Sequence, residues 1–398
     1  MENCKIKPID AFQTSFKWLK ITGYFMAVPK IRNPTKALLY DLYRAFTLII
    51  LILYDVQHMI FIVQVIGNVE YLIDSFTVLI TSMNVTIKLF LVNLNSRRFE
   101  RLHDIINDDI FSASSIKDEE IMGENKKELE KLAKIIYTTI AIIAVCWLTA
   151  PFLKKLSDGH VTLTAYFPFD TNNWFGFTCA NIWITFIIVW VGYGHMTLNI
   201  LLVGYYSQVK VQLSIIKQHL EHMADDDIDL TETRNHTIYL DNANDNWDVQ
   251  KKFVKLVNKY EKIVWFYNEV ELLLNKPMLV QFCGSTGIIC AVVYKMTGMS
   301  VNATFIYLIL YLGCLVLELY IYCYYGTLMN NESIFVNDSV YQSNWTSLSP
   351  RFRRQLLIAM TRWSRPLTPK AAGLVSINLN TFVSVMRLSY SIYTILKS

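Results

Sequence analysis

Seven long apolar segments, separated by polar and charged connections, dominate this 398-residue chain. Hydrophobic residues make up 53% of it, above the roughly 45–50% of a typical soluble domain. At about 1.5 Å per helical residue, each segment is long enough to cross the hydrocarbon core of a bilayer. The pattern therefore predicts an all-α membrane protein with seven transmembrane helices. We place these helices at residues 38–66, 70–94, 133–155, 176–206, 277–299, 301–329 and 371–397.

Lysine and arginine alternate from one connection to the next. They are concentrated in the segment 1–36 and in the second, fourth and sixth connections, at 95–132, 207–276 and 330–370. The first connection has none, the third has Lys154 and Lys155, and the fifth has only Lys295. Cytoplasmic loops carry the excess of basic residues in membrane proteins. We therefore expect a cytoplasmic N-terminus and, after seven crossings, an extracellular C-terminus.

The segment 1–36 alternates lysines with apolar and aromatic residues, among them Phe12, Phe16, Trp18 and Leu19. This pattern favours an amphipathic helix at the cytoplasmic membrane surface over a disordered basic tail.

The seventh apolar segment differs from the others because serine, threonine, asparagine and Arg387 interrupt it. Such a helix is energetically unfavourable if lipid surrounds it, so it should face other helices or water. Leu388, Ser391, Ile395 and Ser398 recur at three- and four-residue spacing and so share one stripe. The spacing alone favours interhelical packing and leaves open a narrow water path gated by Ile395.

Several short pieces near the C-terminus occur together in order, and this part of the chain resembles the C-terminal signature of insect odorant receptors. The resemblance implies that the seventh helix lines the ion pore of a four-subunit channel, with the stripe from Leu388 to Ser398 as pore and gate. The matching pieces are Glu332-Ser333, Tyr341–Trp345, Arg351–Leu357, Arg365–Leu367, Ala372-Gly373, Thr381-Phe382 and Ser389–Thr394.

The resemblance also implies a pocket for a small, volatile, apolar odorant in the outer half of helices two to six. Tyr166-Phe167-Pro168-Phe169-Asp170, in the third connection, resembles the family's extracellular Tyr-x-Pro-Phe-Asp element and could form a lid. Two aromatic residues around a proline of fixed φ make a stiff apolar plug, and Asp170 can cap the next turn. Candidate ligand-binding residues at that depth are Tyr71, Asp74, Val78, Ile143, Trp147, Ala150, Trp183, Ile187, Tyr294, Phe305 and Leu308.

Apolar residues after Trp247, from Phe253 to Tyr267, recur on one helical stripe and should extend the fifth transmembrane helix into the cytoplasm. With the segment Pro350–Trp363, this helix resembles the family's anchor domain, where subunits meet. Its candidate contact residues are Tyr341, Trp345, Phe352 and Leu356.

The fourth connection is shorter than in the family's co-receptor, so the chain resembles a ligand-tuning subunit that requires the co-receptor in a hetero-tetramer. Membrane lipid and permeating cations are its other expected partners, in the plasma membrane of olfactory sensory neurons.

The chain is expected to divide into six parts. They are a cytoplasmic N-terminal segment (1–36), a ligand-binding bundle of helices one to four (37–206), a cytoplasmic loop and anchor helix (207–276), helices five and six (277–329), a second anchor segment (330–370) and the pore-lining helix (371–398).

No catalytic arrangement, phosphate-binding glycine loop or metal-ligand spacing is visible, so neither an enzyme nor a cofactor is expected. The basic residues are spread over loops, so nucleic acid is not expected either.

G-protein-coupled receptors also have seven helices, but their N-terminus is outside. The chain lacks their Asp-Arg-Tyr and Asn-Pro-x-x-Tyr motifs, so no G protein is expected. A gustatory-type channel shares the inverted orientation, but its Thr-Tyr…Gln-Phe ending is absent.

A secondary transporter is the other alternative, because ionisable residues in membrane spans often mark transport pathways. No internal repeat supports it. Lys88 could extend to the cytoplasmic side and Lys295 to the outer side, whereas Asp55 and Arg387 should each need a protein partner or water. The residues concerned are Asp55, Asp74, Lys88, His195, Lys295, Glu318 and Arg387.

The first testable prediction is the orientation. A tag at the N-terminus should be stained only in permeabilised cells, whereas a tag after Ser398 should be stained in intact cells, because the basic connections keep the N-terminus inside. Surface staining of the N-terminal tag would contradict the inverted order.

Overall fold

The computed structural model describes residues 6–24, 33–158, 161, 163–223, 243–297 and 303–397, and these are almost entirely helical. A two-stranded antiparallel hairpin, β1 (Lys370–Ala371) and β2 (Val375–Ser376), interrupts the helices near the end. The helices are α1 (Gln13–Thr22), α2 (Pro34–Gln64), α3 (Val69–Leu94), α4 (Ser96–Ile106), α5 (Ile116–Asp158), α6 (Trp174–Glu221), α7 (Ala243–Met296), α8 (Ala303–Ile334), α9 (Val336–Gln342), α10 (Pro350–Trp363) and α11 (Leu379–Lys397).

Six helices in the described part of the chain are long and apolar enough to cross a membrane: α2, α3, α5, α6, α7 and α8. They contain the first six apolar segments of the sequence. α11 corresponds to the seventh segment and is more polar. We call the end of the bundle that carries the α2–α3 and α5–α6 connections the outer end, following the orientation expected from the sequence.

The seventh segment was predicted as a helix from residue 371, but the helix begins only at Leu379, and the hairpin occupies the preceding residues. Ala372 and Gly373 form the turn with φ of 53° and 68°, a conformation that a right-handed helix cannot contain. Asn378 then begins the helix, because its side chain accepts a hydrogen bond from the Thr381 backbone N–H at 2.9 Å.

Three helices continue far beyond their apolar segments. α5, α6 and α7 are 43, 48 and 54 residues long, and their polar parts extend past the inner end of the bundle. α7 is unbroken from Ala243 through Pro277 to Met296, as expected from the apolar stripe after Trp247. The domain borders expected at residues 207 and 277 therefore lie within continuous helices. Four acidic residues of the fourth connection, Asp225, Asp226, Asp227 and Asp229, lie outside the described residues.

The N-terminal segment is docked on the bundle. Phe12 is buried, and its ring lies 5.5 Å from that of Tyr205 on α6. A side chain at Gly204 would approach the Phe12 ring to 2.8 Å, so glycine permits this contact. Trp18 stacks on Tyr193 of α6 at 5.5 Å. The apolar face of α1 thus packs against protein, whereas the sequence pattern was interpreted as a helix facing the membrane surface.

We call α4, α9, α10 and the polar extensions of α5, α6 and α7 the inner domain. Aromatic packing between α10 and the extension of α7 holds part of it together. The Phe352 ring lies 5.0 Å from Phe253, and Trp363 lies 5.9 Å from Tyr260. Farther along α7, the hydrogen-bonded ammonium of Lys262 holds the pKa of Asp108 below its usual range. These contacts join α10 and the α4–α5 connection to α7.

Candidate functional site

A cavity of about 790 Å³ lies between α3, α5, α6, α7 and α8. Its volume is within the range of about 300–1,000 Å³ found for small-molecule sites. Most of its wall is aliphatic or aromatic, whereas polar residues gather where α3, α6, α7 and α8 converge. We call this polar part the floor and define it as Asn84, His195, Gln281, Ser285 and Glu318.

Seven of the eleven ligand-binding residues proposed from the sequence lie on the cavity wall. They are Tyr71, Asp74, Val78, Ile143, Trp147, Ala150 and Leu308.

The other four proposed ligand-binding residues lie away from this wall. Trp183 is 39% exposed, and its indole N–H donates to Gln57 on α2 at 3.4 Å. Ile187 is buried, Tyr294 is 36% exposed and Phe305 is half-buried. α6 is apolar around its whole circumference, so depth alone did not identify its inward face.

The third connection covers the outer part of the cavity, but through residues that precede the proposed lid. Val161, Leu163 and Thr164 line the cavity. The Thr164 carbonyl accepts a hydrogen bond from Ser75 Oγ on α3 at 2.8 Å, which fixes the connection across the opening.

The proposed lid itself, Tyr166 to Asp170, forms a second layer. Phe167 packs against a separate apolar cluster and lies 5.3 Å from Phe169. Asp170 closes the turn before α6 by accepting hydrogen bonds from the Asn172 backbone N–H and the Asn173 amide at 2.9 and 3.0 Å. Pro168 is exposed.

Beneath the floor, Lys88 of α3 is 1% exposed and is surrounded by side chains from three other helices. Its ammonium donates to Asn199 Oδ1 of α6 at 2.9 Å and to Gln281 Oε1 of α7 at 2.8 Å. It lies 3.8 Å from Glu318 Oε1 of α8. The sequence-based expectation that Lys88 reaches the membrane surface is therefore wrong, because these oxygens satisfy it inside the protein.

Glu318 is the acceptor at the centre of this network. Its Oε1 atom accepts from His195 Nε2 at 2.7 Å and from the Asn199 amide. Asn199 Oδ1 also accepts from the Tyr322 hydroxyl at 2.8 Å. The network of Lys88, His195, Asn199, Gln281, Glu318 and Tyr322 therefore joins α3, α6, α7 and α8 directly beside the cavity.

The remaining charges of the predicted spans also have identifiable surroundings. Asp74 pairs with Lys295 across α3 and α7, and both line the cavity. Asp55 is 7% exposed and accepts hydrogen bonds from Ser82 and Thr86 of α3, the latter at 2.8 Å. Asp74 and Lys295 therefore neutralise each other, and hydroxyl groups satisfy Asp55, all within one chain.

His, Cys, Asp and Glu are the side-chain types that commonly bind metal ions. Among the residues that the structure describes, no group of three or more His, Cys, Asp and Glu side chains could hold a metal ion.

α11 packs on α7 and α8 through one face and exposes the other. On the packed face, Ser389 is 3% exposed, and the Phe382 ring lies 5.7 Å from Tyr320 of α8. On the opposite face, Leu388 is 53% exposed and Ile395 72% exposed, and Ser391 is also exposed. The proposed pore stripe thus faces away from its own chain. Ser398 lies outside the described residues, and Arg387 is exposed beside the stripe.

The proposed anchor residues divide into two groups. Phe352 and Leu356 are each 2% exposed and pack inside the chain's own inner domain, so they cannot contact another subunit directly. Trp345 is partly buried and Tyr341 is 65% exposed. Two further exposed residues of α10, Leu357 and Ile358, are 60% and 72% exposed and were not predicted as contact residues from the sequence. Their position opposite Phe352 and Leu356 on an amphipathic helix could have indicated them.

Comparisons with known proteins agree with this architecture. The profile of the family described as 7tm odorant receptor matches residues 68–390. Odorant receptor 33a of Drosophila melanogaster is 22% identical over 310 residues, which cover 77% of this chain and 78% of that receptor. Odorant receptor 2a of the same species is 26% identical over 152 residues, but this match spans only 38% of that receptor.

Solved structures show the same fold. The insect olfactory receptor OR5 from Machilis hrabei has a TM-score of 0.75 at 16% identity, with 96% of each chain covered. Its complex with eugenol has a TM-score of 0.76 at 16% identity, with 97% of each chain covered. This agreement over nearly the whole chain confirms the predicted seven-helix fold.

The buried network yields a prediction about stability. Lys88→Met should destabilise the protein by about 3–5 kcal/mol, because it leaves the Glu318 carboxylate buried without a cation. The double variant Lys88→Met/Glu318→Gln should lose less, because it removes both charges. Denaturant-induced unfolding of the protein in detergent would measure this, with exposed Lys154→Met as the control. Additive losses in the double variant would contradict the pairing.

Proposed function

Because the chain belongs to the 7tm odorant receptor family, we propose that it is the odorant-binding subunit of a ligand-gated, non-selective cation channel. The observation that carries this proposal is the cavity between α3, α5, α6, α7 and α8, which has the size and the apolar wall expected of a small-molecule site. The OR5 complex with eugenol shows that a receptor of this fold accommodates a small aromatic molecule.

The proposed assembly is a hetero-tetramer with the family's co-receptor, in the plasma membrane of olfactory sensory neurons. Tyr341, Leu357 and Ile358 support it, because large apolar side chains exposed in the polar inner domain are typical of an interface. Phe352 and Leu356 would act indirectly by holding α10 against α7.

The proposed route from ligand to pore runs along α8. Leu308, Tyr311 and Leu315 of α8 line the cavity. Farther along the same helix, Tyr320 contacts Phe382 of α11, and Thr327 Oγ1 accepts a hydrogen bond from the Leu379 backbone N–H at 3.1 Å. A displacement of α8 would therefore reach α11 through direct contacts. The odorant favours opening only if it binds the open state more tightly than the closed state.

In the proposed tetramer, the exposed stripe of α11 surrounds the ion path. Ile395 would form an apolar ring that blocks ions by dewetting, and Ser391 would offer hydroxyl groups to a hydrated cation without adding charge. Support comes from the exposure of this face in the single chain, since an apolar and serine-rich face needs either a neighbouring subunit or a lumen.

The ligand site can be tested by filling the cavity. Ala150→Trp should weaken odour-evoked current by tenfold or more in potency, because the larger side chain occupies the space of the ligand. Val145→Trp is the matched control, since Val145 lies on the same helix and is 62% exposed away from the cavity. Currents would be recorded from cells that express the chain with the co-receptor, at equal surface levels. Equal responses of both variants would contradict the site.

The pore can be tested by cysteine accessibility. Ser391→Cys and Ile395→Cys should be modified by water-soluble thiol reagents in odour-opened channels, with a change in current. Ser389→Cys should resist modification, because Ser389 faces α7 and is 3% exposed. If neither residue of the stripe reacts in closed or open channels, α11 does not line the pore.

A further inference from the structure

Most hydrogen-bond donors of the floor and its network are directed at other side chains of the protein. Lys88 donates to Asn199 and Gln281. The Gln281 amide donates to Ser285 Oγ at 3.0 Å, and the Asn84 amide donates to Gln281 Oε1 at 3.2 Å. Ser285 Oγ accepts in this contact, so its own hydroxyl proton can still be donated to a ligand.

His195 also directs its ring N–H at another member of the network. Its Nε2 atom lies 2.7 Å from Glu318 Oε1, and a carboxylate oxygen can only accept, so Nε2 carries the proton that is shared. The neutral ring then keeps Nδ1 as an acceptor. Asn199 also directs its amide to Glu318, so the same carboxylate oxygen receives both donors.

What remains at the floor is one carboxylate acceptor. All the described polar contacts of Glu318 go to Oε1, and its Oε2 atom has no hydrogen-bond partner among the residues that the structure describes. Glu318 lines the cavity. Asn84 Oδ1 and His195 Nδ1 also lack a partner in the described part of the chain, but both atoms are fully buried, so a ligand in the cavity cannot reach them. Buried polar atoms normally have hydrogen-bond partners, so an acceptor left unpaired beside a cavity points to a ligand that supplies the donor.

We propose that the cavity selects neutral ligands that carry a hydroxyl group on an apolar body, alcohols and phenols, and that Glu318 is the residue that accepts the hydroxyl proton. This inference rests on the proposed function and specifies the ligand class of the same site. The apolar wall holds the hydrocarbon part of the molecule, and the floor fixes its polar end.

Other ligand classes fit the floor less well. Ketones, esters and ethers have only acceptors, so they could accept from Ser285 but would leave Glu318 Oε2 unpaired. Carboxylate ligands would be repelled by Glu318. Protonated amines could donate, but Lys88 already balances the charge of Glu318 at 3.8 Å, and a second cation would have to lose its hydration without a new counter-charge.

The inference can be tested with matched ligands. Octan-1-ol, octan-2-one, octyl methyl ether and octane, and a phenol beside its methyl ether, would be applied to cells that express the chain with the co-receptor. A hydrogen bond to a charged acceptor predicts about tenfold or greater potency for the hydroxyl member of each set. A ketone or ether that matches or exceeds its alcohol overturns the inference while leaving the proposed function intact. No current from any compound, at normal surface expression, contradicts the proposed function itself.

A substitution at Glu318 gives the sharper result. In Glu318→Gln, the donors from His195 and Asn199 hold the amide oxygen at the Oε1 position, so the NH₂ group takes the place of Oε2 and converts an acceptor into a donor. The ratio of alcohol potency to ketone potency should fall by tenfold or more, and ketones should gain in absolute potency. A purely structural role would weaken both ligand classes equally and leave the ratio unchanged, which would overturn the inference.

Two further variants serve as a fallback and a control for this test. Lys88→Met/Glu318→Gln keeps the network neutral if the single variant does not reach the surface, and it should show the same change of ratio. Ile143→Val is the matched control from the apolar wall. It should alter the potency of alcohols and ketones together and leave their ratio unchanged. A change of ratio in Ile143→Val as large as that in Glu318→Gln would contradict the role of Glu318.

Discussion

A lysine and a glutamate buried together among membrane helices are the constraint on which the rest of this structure depends. Lys88 and Glu318 are each at most 5% exposed, and a single ion in such a place carries a desolvation cost of several kcal/mol. The pair is tolerated because Asn199 and Gln281 accept from Lys88, while His195 and Asn199 donate to Oε1 of Glu318. The four helices that supply these side chains must therefore meet at one level.

The position of the network explains why a cavity can exist beside it. The network ties the helices together through polar contacts, so apolar side chains need not fill all the space toward the outer end. Ser75 and Thr164 close that space from the other side. The cavity is thus bounded by polar contacts at two levels and by apolar side chains between them, which suits a small molecule with one polar end. Glu318 also lies on α8, the helix that contacts α11, so the proposed ligand contact and the proposed pore share one helix.

The sequence predicted the seven helices, the extension of α7 and the family, because hydropathy and short motifs record these directly. On α3 it also identified the inward face, since Tyr71, Asp74 and Val78 share one helical side. On α6, Trp183 and Ile187 were proposed from their depth in the membrane, but neither side chain lines the cavity. The sequence could not pair Lys88 with Glu318, because 230 residues separate them and only the tertiary fold brings them together. The hairpin before α11 was missed because Ala372 adopts a positive φ that alanine rarely takes.

The most direct test of the central claim, that the enclosed cavity is the odorant site, is a cryo-electron microscopy map. The map would be of the chain in complex with the proposed co-receptor and an odorant that evokes current. We expect ligand density between α3, α5, α6, α7 and α8, with the polar end of the molecule toward Glu318. Density at another place on the chain, with this cavity empty, would contradict the account.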